Sequence, residues 1–224
     1  MEYQNTLRAT FLERPNRFIA KVLLNGREET VHVKNTGRCR ELLLPHSEVI
    51  LSRAENKDRK TAYDLIAVKK EGLGLVNIDS QAPNRIMAEY FCEHFDVVHP
   101  EYRYGNSRLD FYLEKDSRKY LVEVKGCTLE KDGIGYFPDA PTLRGVKHIH
   151  ELITAKESGY RTALAFVIQM PKVTEVRPNL SMHKEFYDAW QQAVKAGVTI
   201  AFFGCNVLEN KLEIDRTRLI NHLF

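Results

Sequence analysis

The first part of the chain alternates short apolar runs with turn signals. Residues 17–24, "RFIAKVLL", end at Asn25-Gly26, a pair that accepts the positive φ of a tight hairpin turn, and "REETVHV" resumes extended structure after it. Further extended stretches are "SEVILSRA" (47–54), "TAYDLIAVKK" (61–70) and "GLGLVNID" (72–79), with a charged turn at residues 56–60. So many short strands in so little chain predict a small closed barrel of OB-like form. A single open sheet of that size would leave edges and one apolar face uncovered.

The rhythm changes at residue 80. In "SQAPNRIMAEYFCEHF" (80–95), Pro83 suits the first turn of a helix, and Ile86, Met87, Tyr90, Phe91 and Phe95 form one apolar stripe. Three extended segments follow, "VVHPEYRYG", "SRLDFYL" and "KYLVEVKG", then a polar stretch with prolines and glycines from Cys127 to Pro141. Thr142 is placed to cap a helix over "LRGVKHIHELITAKES" that stops at Gly159. "TALAFVIQM" (162–170) and "VTIAFFGCNV" read as strands covered on both faces, with a helix over "KEFYDAWQQAVKAG" between them. The order predicts a mixed central sheet flanked by helices, and a division into residues 1–80, an OB-like nucleic-acid-binding domain, and residues 81–224, an α/β domain.

Composition narrows the class. With 224 residues, 43% apolar and 10% aromatic, the chain supports a substantial core. Cys39, Cys92, Cys127 and Cys205 form no C-x-x-C pair, which argues for reduced, structural thiols and against a zinc knuckle. No apolar run approaches the length of a membrane span and no signal-like segment opens the chain, so the expectation is a cytoplasmic protein without a membrane partner. The net charge of +3 has its small basic excess in the first 80 residues, a pointer to polyanions. Candidate phosphate contacts there are Arg14, Arg17, Arg38, Arg40, Arg53, Lys57, Arg59 and Lys60, with Phe11, Phe18 and Tyr63 as stacking or core residues. Self-association is left open.

The chemistry concentrates in "SRLDFYL" and "KYLVEVKG". Joining them by the short turn "EKDSRK" and placing Leu113 opposite Tyr120 sets Asp110 opposite Glu123 and Arg108 opposite Lys125. Alternation puts Glu123 and Lys125 on one face, with opposed Cβ atoms about 5 Å apart, so Asp110, Glu123 and Lys125 share a patch. Two close carboxylates repel unless a cation lies between them, and their hard oxygens suit Mg²⁺ or Mn²⁺. The Val124 carbonyl and the helix-borne Glu89 are candidate additional ligands. Lys125 is suited to position a water or to offset charge on a phosphate. Arg108, Arg144 and Lys147 are candidate phosphate-positioning residues, and His148 is a further neighbour on the same helix. His148 and His150 stand two positions apart on that helix and point away from one another, which excludes them as co-ligands of one zinc. Asp139 and its Gly- and Pro-rich approach are placed to border a substrate groove.

"RLDFYL" followed by "LVEVKG" resembles the bipartite acidic motif of the PD-(D/E)XK nuclease superfamily. Leu109 stands where the motif has Pro. The whole chain resembles the sugar fermentation stimulation protein family, from "RFIAKVLLNG" and "HVKNTGRCRELL" through "FPDAPTLRGVKHIHEL". That resemblance implies an OB-like domain, a nuclease-like domain and association with DNA. It further implies that Asp110 is the first acidic position, Glu123 and Lys125 the E-x-K pair, and Glu89 the helix-borne acid. Two functions follow as expectations: a Mg²⁺- or Mn²⁺-dependent nuclease, or a non-catalytic DNA-binding regulatory or architectural protein linked to sugar metabolism. A sugar-processing carboxylate enzyme has little support in the spacing of the acids.

Overall fold

The computed structural model describes residues 1–35, 37–54, 56 and 58–221. Its first unit is built from β1 (Thr6–Asn16), β2 (Ile19–Leu24), β3 (Arg27–Val33), β4 (Glu48–Arg53), β5 (Tyr63–Lys70) and β6 (Gly74–Asn77). The strand order is β3-β2-β1-β4-β5-β6, and β3 also pairs with β5 through His32↔Asp64 and Val33↔Leu65. That extra pairing closes five strands into the expected OB barrel, removing two edges. The hairpin between β2 and β3 turns at Asn25 (φ 51) and Gly26 (φ 79), the positive-φ pair read from the sequence. Phe11, Val22, Val31, Val49, Leu65 and Val68 fill the interior. Phe11 is therefore core, while Phe18 remains 45% exposed.

The second unit runs α1 (Ala82–His94), β7 (Val97–Tyr104), β8 (Ser107–Lys115), β9 (Arg118–Cys127), β10 (Leu129–Lys131), β11 (Ile134–Phe137), α2 (Leu143–Glu157), β12 (Arg161–Ile168), β13 (Val176–Pro178), α3 (Lys184–Lys195), β14 (Thr199–Val207) and β15 (Leu212–Ile220). Its main sheet has the order β15-β14-β12-β9-β8-β7. The central strands β9, β12 and β14 are parallel and the outer pairings antiparallel, which makes the sheet mixed as expected. Every residue of β12 after Arg161 is buried, as the unbroken apolar run requires.

Each face of the sheet has its own cover. The stripe Ile86, Met87, Tyr90 and Phe91 of α1 packs with Phe111, Val122, Val124 and Ala165. On the other face, Ile149 and Leu152 of α2 and Trp190 of α3 pack with Leu121, Leu164 and Phe166. The Thr142 side chain caps α2 by accepting from the Gly145 amide at 3.0 Å, and Gly159 ends the turn after the helix at φ +90.

Two regions depart from the sequence reading. The polar stretch after Cys127 folds into a small sheet, with β11 between β10 and β13. The charged segment "LEIDRTRLI" forms β15, an edge strand on β14. Among the described residues no helix is long and apolar enough to cross a membrane. Burial pushes the thiols of Cys39, Cys127 and Cys205 up to about 12, consistent with unreactive structural cysteines.

A candidate active site at the fork between two strands

Strands β8 and β9 pair in the expected register, from Lys115↔Arg118 through Leu113↔Tyr120 to Phe111↔Val122, and there the ladder ends. One residue further, where Asp110 was expected directly opposite Glu123, the Asp110 carboxylate takes the place of the next rung by accepting from the Val124 amide at 2.8 Å. On its other side β8 continues to pair with β7, and Glu101, flanked by the Pro100↔Phe111 and Tyr102↔Leu109 pairs, adopts a left-handed φ of 54. A backbone distortion thus faces the point where β8 leaves β9.

The fork opens a cavity of about 720 Å³ whose wall includes Asp110, Glu123, Val124, Lys125 and Arg144. The first turns of both α1 and α2 reach it, through Asn84 and Arg85 on one side and Arg144 and Gly145 on the other. Two helix N-termini bring the positive ends of their dipoles to the same space, a setting for anions.

Glu123 is 1% exposed and points toward α2. Its Oε1 accepts from Lys125 Nζ and from His148 Nδ1, while Oε2 is buried without a hydrogen-bond partner. Arg144 Nε donates to His148 Nε2 at 3.4 Å, so that ring nitrogen carries no hydrogen and Nδ1 carries it instead. Burial acts to raise the Glu123 carboxyl, but Lys125 and His148 outweigh it and hold Glu123 below the usual carboxylate range. Asp110 goes the other way. Burial and the charge of Glu123 raise it, against Lys125, the Val124 amide and Asn84, whose amide donates to Asp110 at 2.8 Å. The two acids therefore diverge, one held ionised and one pushed toward the neutral form, a common arrangement where carboxylates do chemistry.

The donor set can be tested against a divalent cation. Among the described residues no three His, Cys, Asp or Glu side chains converge as a ready cage. Two carboxylates, one of them with an orphaned oxygen, and a cavity-lining strand residue fit a hard ion that keeps most of its waters, such as Mg²⁺. They do not fit an ion that demands four protein ligands.

The structure brings together Asp110, Glu123, Val124, Lys125 and Arg144, and separates other candidates from them. Glu89 faces a different cavity, pairs with the Met1 ammonium at 2.9 Å, and has a 58% exposed side chain. Five residues along a helix rotate the side chain through about 140°, so α1 turns Asn84 toward the site and Glu89 away. Because the ladder stops at Phe111↔Val122, Arg108 does not reach Lys125; it lies near Glu101 at 3.5 Å. Lys147 is spent on the Asn106 carbonyl at 3.0 Å.

In the barrel, Arg14 donates to the carbonyls of Arg17, Asn35, Gly37 and Arg38, so it organises loops instead of facing a ligand. Arg59 forms a two-pronged pair with Asp64 at 2.7 and 3.1 Å. Arg17, Arg38, Arg40, Arg53 and Lys60 are exposed, and Lys57 lies outside the described residues. Asp139 borders a smaller cavity that shares Ser80, Pro83, Gly126 and Phe137 with the main one. Asn84 and Arg85 were not singled out by the sequence reading, which followed the apolar stripe of α1 and its acids.

Fold and site together define a two-domain protein: an OB barrel joined to a mixed α/β domain with an acid–lysine–histidine cluster at a strand fork. The model of the SfsA N-terminal OB domain matches residues 12–78, and that of the sugar fermentation stimulation protein RE domain matches residues 81–211. The chain belongs to the sugar fermentation stimulation protein family. It is 49% identical over 217 residues to the homolog from Desulfitobacterium hafniense strain Y51, covering 95% of each chain. It is 46% identical over 219 residues to that from Clostridium beijerinckii, covering 96% of each. Among solved structures it resembles Pyrococcus furiosus SfsA in complex with Ca²⁺, with a TM-score of 0.86, 27% identity and coverage of 99% of this chain and 97% of that one.

Proposed function

We propose that this protein is a divalent-cation-dependent phosphodiesterase acting on DNA, with Mg²⁺ or Mn²⁺ as cofactor. The observation that carries the reading is Glu123 Oε2, an anionic oxygen buried without a partner beside the Asp110 carboxyl in a cavity large enough for a phosphate. Buried polar atoms are nearly always satisfied, and an exception at a polar cavity marks a place for an ion or water. Glu123, Asp110 and the Val124 carbonyl would hold the cation. When bound, it supplies Lewis-acid polarisation of a phosphate ester and a more acidic water. The Pyrococcus furiosus relative is described with Ca²⁺, another oxygen-seeking divalent ion, which supports a hard-cation site.

The chain's own groups each have a task in this reading. His148 fixes Oε1 of Glu123, leaving Oε2 directed to the ligand. Lys125 sets a positive charge beside the reacting phosphate, where charge develops. Arg144 and the N-terminal turns of α1 and α2 orient the phosphate oxygens.

A cleavage assay over single strands, duplexes, branches and flaps with Mg²⁺ or Mn²⁺ tests the proposal. The Lys125→Ala protein is expected to lose about 100-fold or more in cleavage rate while keeping its fold and DNA affinity. Absence of cleavage of every substrate by the pure wild-type protein, in both metals, overturns it.

A second reading, a non-catalytic DNA-binding regulatory or architectural protein linked to sugar metabolism, is favoured by a different observation. Lys125 and His148 engage Glu123 from within the chain and offset its charge. Salt-dependent DNA binding that is unchanged in Asp110→Asn, with no cleavage in the wild type, identifies that case.

A further inference from the structure

We propose that a single strand of DNA reaches the site along a cationic path that begins on the barrel and crosses the first turn of α1 at Arg85. The destination rests on the phosphodiesterase reading; the path does not. Arg85 is exposed and lines two cavities at once, the catalytic one and a neighbour of about 310 Å³ on the barrel side. The barrel contributes Lys34, Arg53 and Arg59 to that neighbour. Arg85 is therefore the wall common to the two depressions, standing between them.

The charge of the path survives its acids. Asp64, on the wall of the barrel cavity, is already matched by Arg59 at 2.7 Å, His32 at 3.0 Å and Lys34 at 3.8 Å. Among the described residues, Glu2 is the other acid on that wall. Among the described residues neither the Arg53 nor the Arg85 guanidinium has a hydrogen-bond or ion-pair partner, so both are available to phosphates. Arginines placed in this way hold a backbone without reading bases, which makes the path tolerant of sequence.

The depth of the site selects a single strand. Glu123 is 1% exposed, below the turns of α1 and α2 that border the cavity. A duplex offers phosphates only on the outside of a stiff cylinder, whereas a flexible single strand bends into the depressions on either side of Arg85. This is the arrangement of a charged groove that tracks a backbone.

The experiment is fluorescence anisotropy in EDTA, so that cleavage is absent, with a labelled oligo-dT and a hairpin duplex of equal phosphate number, across a salt series. Wild type is compared with Arg53→Ala, Arg85→Ala, the double variant and Lys195→Ala, an exposed cation of α3 outside both cavities. The double variant is expected to bind oligo-dT roughly tenfold or more weakly, with the slope of log K against log salt reduced by about 1.4, the value for two lost single-strand phosphate contacts. Lys195→Ala is expected to change neither. A double variant that binds within twofold of wild type with the same slope overturns the path, and so does a wild-type preference for the hairpin. Binding through Arg53 and Arg85 with no Mg²⁺-dependent cleavage keeps the path and removes the phosphodiesterase reading. Cleavage by wild type with unaltered binding in the double variant does the reverse.

Discussion

Asp110 is half-buried and Glu123 buried, and their surroundings give the two carboxyls opposite tendencies. Burial and the charge of Glu123 raise Asp110 above the ordinary range. A group with a raised folded pKa stabilises the fold below its unfolded pKa, and that contribution is lost as pH rises through the folded value. Ionised Asp110 is thus a local cost to stability at neutral pH. Asp110→Asn is expected to raise Tm at pH 7 by about 2 to 4 °C, the shift for about 1 kcal/mol in a chain of this size. The gain shrinks as pH falls below the ordinary aspartate value of about 3.9, where the wild-type carboxyl is neutral in the folded and the unfolded chain alike. Thermal unfolding of both proteins at pH 7 and below that value checks the sign, and metal-dependent cleavage is expected to disappear in the variant.

Side-chain alternation along β9 made Glu123 and Lys125 legible in the sequence, because period two is stiff and the register of β8 was fixed by a short turn. Two neighbours were not. The acid of α1 nearest the apolar stripe was Glu89, but the stripe has two borders and only packing against the sheet decides which one looks at the site. His148 was tested against His150 for zinc and not against Glu123, because their contact needs α2 laid over β9, which no local pattern encodes.

At the scale of elements, strands that bury a face were readable and those that bury little were not. β12 declares itself by an unbroken apolar run; β15, an edge strand with charges along its length, becomes a strand only when β14 offers it a ladder. The loop after β3 shows the same dependence on distant partners. Arg14 of β1 reaches over to donate to carbonyls at Asn35, Gly37 and Arg38, and to Arg17 on its own hairpin. A lysine keeps the charge but not the planar fork. Arg14→Lys is therefore expected to lower stability by about 2 kcal/mol through lost hydrogen bonds to backbone, measured as a shift of the urea midpoint, while DNA affinity stays near wild type.

Across the whole molecule, the two units meet at the end of β9. Gln169, just beyond β12, donates to Asn77 Oδ1 at 2.8 Å and to the Asp79 carbonyl at 3.0 Å, tying the sheet to the chain that leaves the barrel. Tyr3, Asn77, Lys34 and buried Asp79 extend the tie on the barrel side. Gly126, next to Lys125, passes through this seam with no room to spare: a Cβ there would lie 2.4 Å from Gln169 Oε1 and 2.8 Å from Pro83 Cγ. Gly126→Ala is expected to cost about 1 to 3 kcal/mol by overpacking and to weaken cleavage more than its stability loss explains, because the displaced groups are the strand of Lys125 and the first turn of α1. Urea unfolding together with cleavage rates at a temperature where the variant is fully folded separates the two effects.

Residues 80, 81 and 83 to 85, which carry the chain from barrel to sheet, are themselves part of the cavity wall. A hybrid that exchanged the barrel for another and joined it by a free tether would keep both acids and the lysine, yet rebuild one wall of the cavity they line. In this architecture the joint is a working surface, and modularity ends there.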